Sequence, residues 1–322
     1  MKRICALASL AALACAALFA GSALAQFPNK PIRIVVPFPS GSATDAVARI
    51  LGQSVSAAVG QPVIVDNKVG ADGAIAGSEV VRAAPDGYTL LLATNSPMAA
   101  MPAMKKVPPY DPVNDFTPIT DIGRYTFFLY VYAGLPVNSF KELIAYAKAN
   151  PGKLNYATGN TTGIVSFAQM NALTGIDMTH VPYKGEPQGI ADLIGGRVQV
   201  MWATPTTGLS HVKDGKLRAL ATNLKSRSGL LPDVPTMTEV GVSQYSVVSW
   251  AALYGPAKIP RDVLARLNKE FLDAMKRPDV IAQMDKQAFA MNPTTPEELG
   301  AFTKSQLEAY RAILKAAGVQ PE

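Results

Sequence analysis

Short apolar runs alternating with helical patterns constrain the fold of this chain more than any other feature. Ile32-Arg33-Ile34-Val35-Val36 reads as a buried strand, and Val47, Ile50, Leu51, Val55, Ala58 and Val59 then recur at helical spacing until Gly60. The pattern repeats at once: a strand over 62–66, a loop over 67–73, a helix over 74–84, a Pro85-Asp86-Gly87 turn and a strand over 88–93. Such alternation predicts βαβ units, hence an α/β fold whose parallel sheet is covered by helices on both faces.

A second series follows a proline-dense stretch, 105–118, that reads as an irregular surface excursion. Strands are predicted over 127–132, 154–157, 197–202 and 217–221, and helices over 140–149, 164–173 and 187–194, the last two closed by Gly175 and by Gly195-Gly196. These form a second α/β lobe. The tail is helical: Val263, Leu264, Leu267, Phe271, Leu272 and Met275 share one face, and Thr295-Pro296-Glu297-Glu298 is a capping box with proline at the first helical position. An apolar tail face must be buried on an existing sheet, so the chain is expected to cross between lobes twice. That places lobe one at 26–122 and 246–322, and lobe two at 123–245.

The first residues decide the compartment. Lys2 and Arg3, an uncharged apolar stretch and Ala23-Leu24-Ala25 form a secretory signal peptide with an A-x-A site, so cleavage is expected after Ala25 and the product in the periplasm. Lipid attachment at Cys15 is a weaker rival. Removing 25 of 322 residues leaves 297 and takes both cysteines, Cys5 and Cys15, which excludes disulfide and thiolate chemistry from the mature chain. Lys2 and Arg3 leave too, so the net charge falls from +6 to +4, with 28 basic residues against 24 acidic ones. The basic residues are scattered, so nucleic acid is not an expected partner. No later apolar run reaches the roughly 18 residues of a spanning helix.

Three polar segments stand where strands give way to helices. Ser40-Gly41-Ser42-Ala43-Thr44-Asp45, with Phe38 before it, follows the first strand; Thr94-Asn95-Ser96 follows a strand of the same lobe; Thr158-Gly159-Asn160-Thr161-Thr162-Gly163 follows a strand of the second. In open α/β sheets ligands bind at such strand ends, and helix N-termini offer free N–H groups and partial positive charge. Each segment alone is an ordinary cap or turn, whereas three of them facing one cleft make a site. Enzyme signatures are missing: there is no G-x-S-x-G, no G-x-x-x-x-G-K-[ST] and no G-x-G-x-x-G. The two histidines, His180 and His211, have no neighbours at metal-ligand spacing. A Ser/His/Asp set built on His180 is the enzyme alternative.

The stretches PFPSGSATDAVARIL, VDNKVGADGAIAGSEVVRAAPDGYTLL, HVPYKGEPQGIADLIGGRVQVMW, GKLRALATN and LPDVPTMTEVG together resemble the extracytoplasmic solute-binding receptors of tripartite tricarboxylate transporters, in order from Pro31 to the C-terminal helices. The resemblance implies a two-lobed periplasmic-binding-protein fold, of the type II Venus-flytrap kind, closing on a small organic carboxylate such as a tricarboxylate, a dicarboxylate, an acidic amino acid or an aromatic acid. It implies delivery to membrane subunits of the transporter, by a monomer without cofactor or metal. In such receptors the loop matching 38–45 holds one carboxylate and the loop matching 158–163 the far end. The expected contacts are Phe38, Ser40, Gly41, Ser42, Thr44, Asp45, Asn95, Ser96, Thr158, Asn160, Thr161, Thr162, Gly163 and Tyr183, with Lys184 and Arg124 as candidate clamps. Ser42 stands where glycine is usual and Ser166 where histidine is usual. A ligand-presenting partner of a sensor kinase would have the same fold.

Overall fold

The structure, a computed structural model, describes residues 27–321; the expected signal peptide lies outside the described residues. Two mixed sheets carry the chain. The first has the order β11-β4-β10-β3-β1-β2, with β1 Ile32–Val36, β2 Val63–Asn67, β3 Thr89–Thr94, β4 Phe116–Tyr125, β10 Ser249–Pro256 and β11 Phe289–Met291. The second has the order β7-β6-β8-β5-β9, with β5 Phe128–Tyr132, β6 Asn155–Thr158, β7 Thr179–Pro182, β8 Val200–Ala203 and β9 Leu217–Thr222.

The expected all-parallel sheet is corrected by β10, which runs antiparallel to both β3 and β4. Its direction follows from the path of the chain. β4 ends at Tyr125 at the edge facing the second sheet, the chain builds that sheet, and it re-enters the first at Ser249, paired with Tyr125. A strand entering from that side can only run back. β5 is antiparallel to β8 and β9 for the same reason. The C-terminal ends of β1, β3 and β4 therefore meet those of β6, β8 and β9 across a cleft.

Helix α1, Ala43–Val59, starts at Ser42, whose Oγ accepts the Asp45 N–H at 3.3 Å, and stops at Gly60, in the left-handed region at φ 69°. Its Val47, Leu51 and Val55 bury against Ile32 and Ile34, and with Leu267 and Phe271 of the tail helix Arg261–Met275. Leu91, Ala93, Trp250 and Tyr254 fill the opposite face of the first sheet, together with Leu299. The helix Pro296–Ala316 has the capping box at Thr295 and lies against β4 of the first sheet. Its Leu307, Tyr310 and Leu314 also reach Val165 of the helix Thr161–Thr174, beside the second sheet.

The proline-dense stretch is irregular only to Asp115, because β4 begins at Phe116 and carries Pro118 at a register shift. β4 also continues past 122 to Tyr125. Gly123 explains how it bends: its φ is 152°, and a Cβ there would lie 2.1 Å from the carbonyl oxygen of Ala290 on β11. Gly123→Ala is expected to cost about 2 kcal/mol or more through overpacking against backbone, read as a lower denaturant midpoint.

Candidate ligand-binding cleft

The strand ends enclose a narrow cleft with a cavity volume of about 30 Å³. Phe38, Pro39, Ser42, Ala43, Thr44, Thr94, Asn95, Tyr125 and Ser249 line it from the first sheet's side. Gly159, Asn160, Thr162, Gly185, Glu186 and Thr204 line it from the second, and Phe127 sits at the crossing. No Lys, Arg or His is among them. Positive potential comes instead from helix N-termini: α1, the helical segment beginning at Ser96, Thr161–Thr174 (α5 in chain order), Glu186–Ile194 (α6) and Pro205–Lys213 (α7) all open towards the cleft.

Of the expected contacts, Phe38, Ser42, Thr44, Asn95, Asn160 and Thr162 line the cleft. Ser42 is both cap and wall: its Oγ is an acceptor for Asp45 N–H, which leaves its hydroxyl proton to donate. The N–H groups of Ala43 and Thr44, in the first turn of α1, have no intrahelical acceptor. Tyr125 donates its hydroxyl to Thr44 Oγ1 at 3.1 Å and is pushed up in pKa by burial. Asn160 caps α5, its Oδ1 accepting the Gly163 N–H at 2.8 Å and its Nδ2 left to donate.

The remaining expected contacts do not line this cleft, and their bonds give the reasons. Gly41 is exposed, and its N–H donates to Asp45 Oδ2 at 3.0 Å, so the loop spends that donor on itself. Ser40 is exposed and leans on the same oxygen at 3.4 Å. Asp45, 3% exposed, also accepts from Arg49 and from Asn67 Nδ2. Burial pushes its carboxyl up, but the bonds from Arg49, Gly41 and Asn67 outweigh this, and its pKa lies below the ordinary value. Asp45 is the clamp of the loop.

Ser96 and Thr162 join the two halves, with Oγ to Oγ1 at 2.8 Å and Thr162 N–H to Ser96 Oγ at 3.1 Å. Asn95 holds Val248, Trp250 and Tyr310, so its amide is committed to the fold although it lines the cleft. Thr161 is buried with Oγ1 unpartnered, and Gly163 packs on Thr158. Tyr183 donates to Asp192 at 2.7 Å and, with Lys184, borders a separate hollow beside Asp72. Arg124 pairs with Asp121 at 2.6 Å and covers the Phe302 ring, so it is no clamp. Ser166 donates to the Thr162 carbonyl at 2.8 Å, within its own helix.

His180, on which the hydrolase alternative rests, meets Thr158 Oγ1 at 2.7 Å and stacks on Tyr156; among the described residues no carboxylate is hydrogen-bonded to it, and it does not border the cleft. Among the described residues no group of three His, Asp or Glu is placed to hold a metal ion.

Sequence reasoning missed Glu186, Thr204 and Tyr125. Glu186, 9% exposed, accepts on Oε2 from Thr204 N–H at 3.0 Å, Thr204 Oγ1 at 2.7 Å and Thr207 Oγ1 at 3.0 Å. Burial pushes its pKa up against those three bonds. A signal was present: Gly185-Glu186-Pro187 and Thr204-Pro205 repeat the strand-to-helix joint with proline near the helix start.

Comparison with known proteins places this architecture. The chain is 34% identical over 317 residues to a UPF0065 protein in the gbd 5' region of Cupriavidus necator, covering 97% of this chain and 95% of that protein. The structure of Rhodopseudomonas palustris Rpa4515 with adipate matches with a TM-score of 0.88 at 30% identity, over 92% of this chain and all of the other. MatC from the same organism, with bound malate, matches with a TM-score of 0.84 at 27% identity, over 89% of this chain and all of the other. Residues 47–319 match the model of the TctC family, described as the tripartite tricarboxylate transporter family receptor. With most of its length matched and its two-lobed cleft in place, the chain belongs to the TctC receptor family.

Proposed function

We propose that this chain is a periplasmic receptor that captures a small organic carboxylate between its lobes and delivers it to the membrane subunits of a tripartite tricarboxylate transporter. The observation that carries the proposal is the cleft itself, in which helix N-termini from both sheets converge without a single Lys, Arg or His. Such a site suits an anion bound through neutral donors. Adipate and malate in the related structures are small dicarboxylates, which agrees with this chemistry.

The ligand's carboxylate sits at the first turn of α1, on the Ala43 and Thr44 N–H groups and the Ser42 hydroxyl. Asn160, whose Nδ2 is left to donate, receives its far end from the second lobe. Micromolar affinity needs about -8 kcal/mol, and one helix terminus contributes only about 0.3 to 2 kcal/mol. Both jaws are therefore required, each desolvated hydrogen bond to a charged group adding about 1.5 to 3 kcal/mol. The chain crosses between sheets at Tyr125–Phe128 and between Thr222 and Ser249, and these crossings form the hinge.

Native mass spectrometry of the purified mature chain, followed by thermal melting with a panel of di- and tricarboxylates, amino acids and aromatic acids, tests the proposal. A ligand at 100 times its Kd adds about 2.7 kcal/mol to stability, so at least one acid is expected to raise the melting temperature by several degrees. A flat response across the panel, with no acid released from the native protein, would overturn it.

A further inference from the structure

The cleft contains one ionisable carboxyl that receptor chemistry for plain acids leaves unexplained. Glu186 borders the cavity at 9% exposure, and its hydrogen bonds all fall on Oε2, from Thr204 and Thr207. Oε1 accepts none. Three donors on one oxygen lock the carboxyl's orientation and leave the other oxygen available to a ligand.

Its position is opposite the anion-binding turn. Glu186 starts a helix of the second lobe, whereas Tyr125, which feels its charge, donates to Thr44 in the first turn of α1. No cation lines the space between. A buried carboxylate without a counter-charge is costly, and a second ligand carboxylate placed against it would add like-charge repulsion.

We propose that Glu186 selects ligands bearing a protonated nitrogen beside or beyond their carboxylate, with Oε1 accepting from that nitrogen; this rests on the receptor function proposed above. Burial raises the Glu186 pKa because it penalises the charged form, and an ammonium held against Oε1 offsets that penalty. The cleft is thereby zwitterion-shaped: N–H donors at the first lobe, a carboxylate acceptor at the second.

Calorimetry with three matched pairs tests this: succinate and aspartate, glutarate and glutamate, 3-phenylpropionate and phenylalanine. In the wild-type mature chain, the amino member of at least one pair is expected to bind tenfold or more tightly than its plain partner. Glu186→Gln, whose amide oxygen keeps the Thr204 and Thr207 donors satisfied, is expected to erase that preference, by weakening the amino member and by relieving the repulsion on the second carboxylate of succinate and glutarate. Plain acids binding as tightly as their partners in wild type would overturn the inference without any variant, as would a preference that survives in Glu186→Gln. If none of the six acids binds, the carboxylate-receptor function fails for these classes and this inference falls with it.

Discussion

Gly185→Val is expected to lower affinity for the captured acid about 100-fold while leaving the melting temperature of the unliganded protein nearly unchanged. Gly185 is buried at the head of α6, and a Cβ built there would lie 2.9 Å from Cγ of Pro39 in the first lobe's loop. Its backbone is extended, at φ -178° and ψ 167°, so valine brings no strain of its own. What valine brings is bulk between two jaws that must meet. If they stay apart, hydrogen bonds from one side are lost or left wet; one such bond to a charged group is worth about 1.5 to 3 kcal/mol, which brackets a 100-fold loss. Calorimetry with the identified ligand checks this. Unchanged affinity would mean that Pro39 and Gly185 need not approach for binding.

Asp45→Ala is expected to destabilise the protein by about 2 to 3 kcal/mol and to weaken binding at least tenfold. The Asp45 carboxylate ties the Gly41 N–H, the Arg49 guanidinium and the Asn67 amide together, and Asn67 also donates to the Phe38 carbonyl at 2.9 Å. Alanine leaves those donors unpaired and frees the loop that frames the first turn of α1. The effect depends on acid. Because the folded carboxyl has a depressed pKa, its contribution is fully present above the unfolded value of about 3.9 and is lost as pH falls through the lower, folded value. Melting curves taken from pH 7 down to pH 3 should therefore converge for wild type and Asp45→Asn at the acid end. Parallel curves would show that the charge contributes nothing.

Local chemistry made much of the scaffold legible. The helix Phe140–Ala149 was readable from its apolar spacing, and the capping box at Thr295 from four residues. Strands such as β1 stood out because β-branched residues run uninterrupted between turn signals. β10 did not, although all of its residues are buried, because a strand covered on both faces has no alternation to betray it. β4 was hidden by Pro118 and Gly123, which read as breakers but sit at register irregularities.

The candidate site divides in the same way. Ser42, Thr44, Asn160 and Thr162 were readable because strand-to-helix joints are local, and each carries its cap in the sequence. Gly41 and Asp45 belong to the same joint, yet they bond to each other rather than border the cleft, a choice between two acceptors that only geometry makes. Glu186 and Thr204 lie 18 positions apart and meet because β8 is threaded beside β6.

By itself the sequence determined the alternation of strands and helices and the polar joints between them, since periodicity, caps and turn residues act over a few positions. Tertiary structure alone decided that β10 runs antiparallel, that Asp45 turns inward to clamp its loop, and that a buried carboxylate closes a cleft without cations. Those outcomes depend on which strand ends are brought together across two crossings, and on which buried group finds a partner once water is excluded.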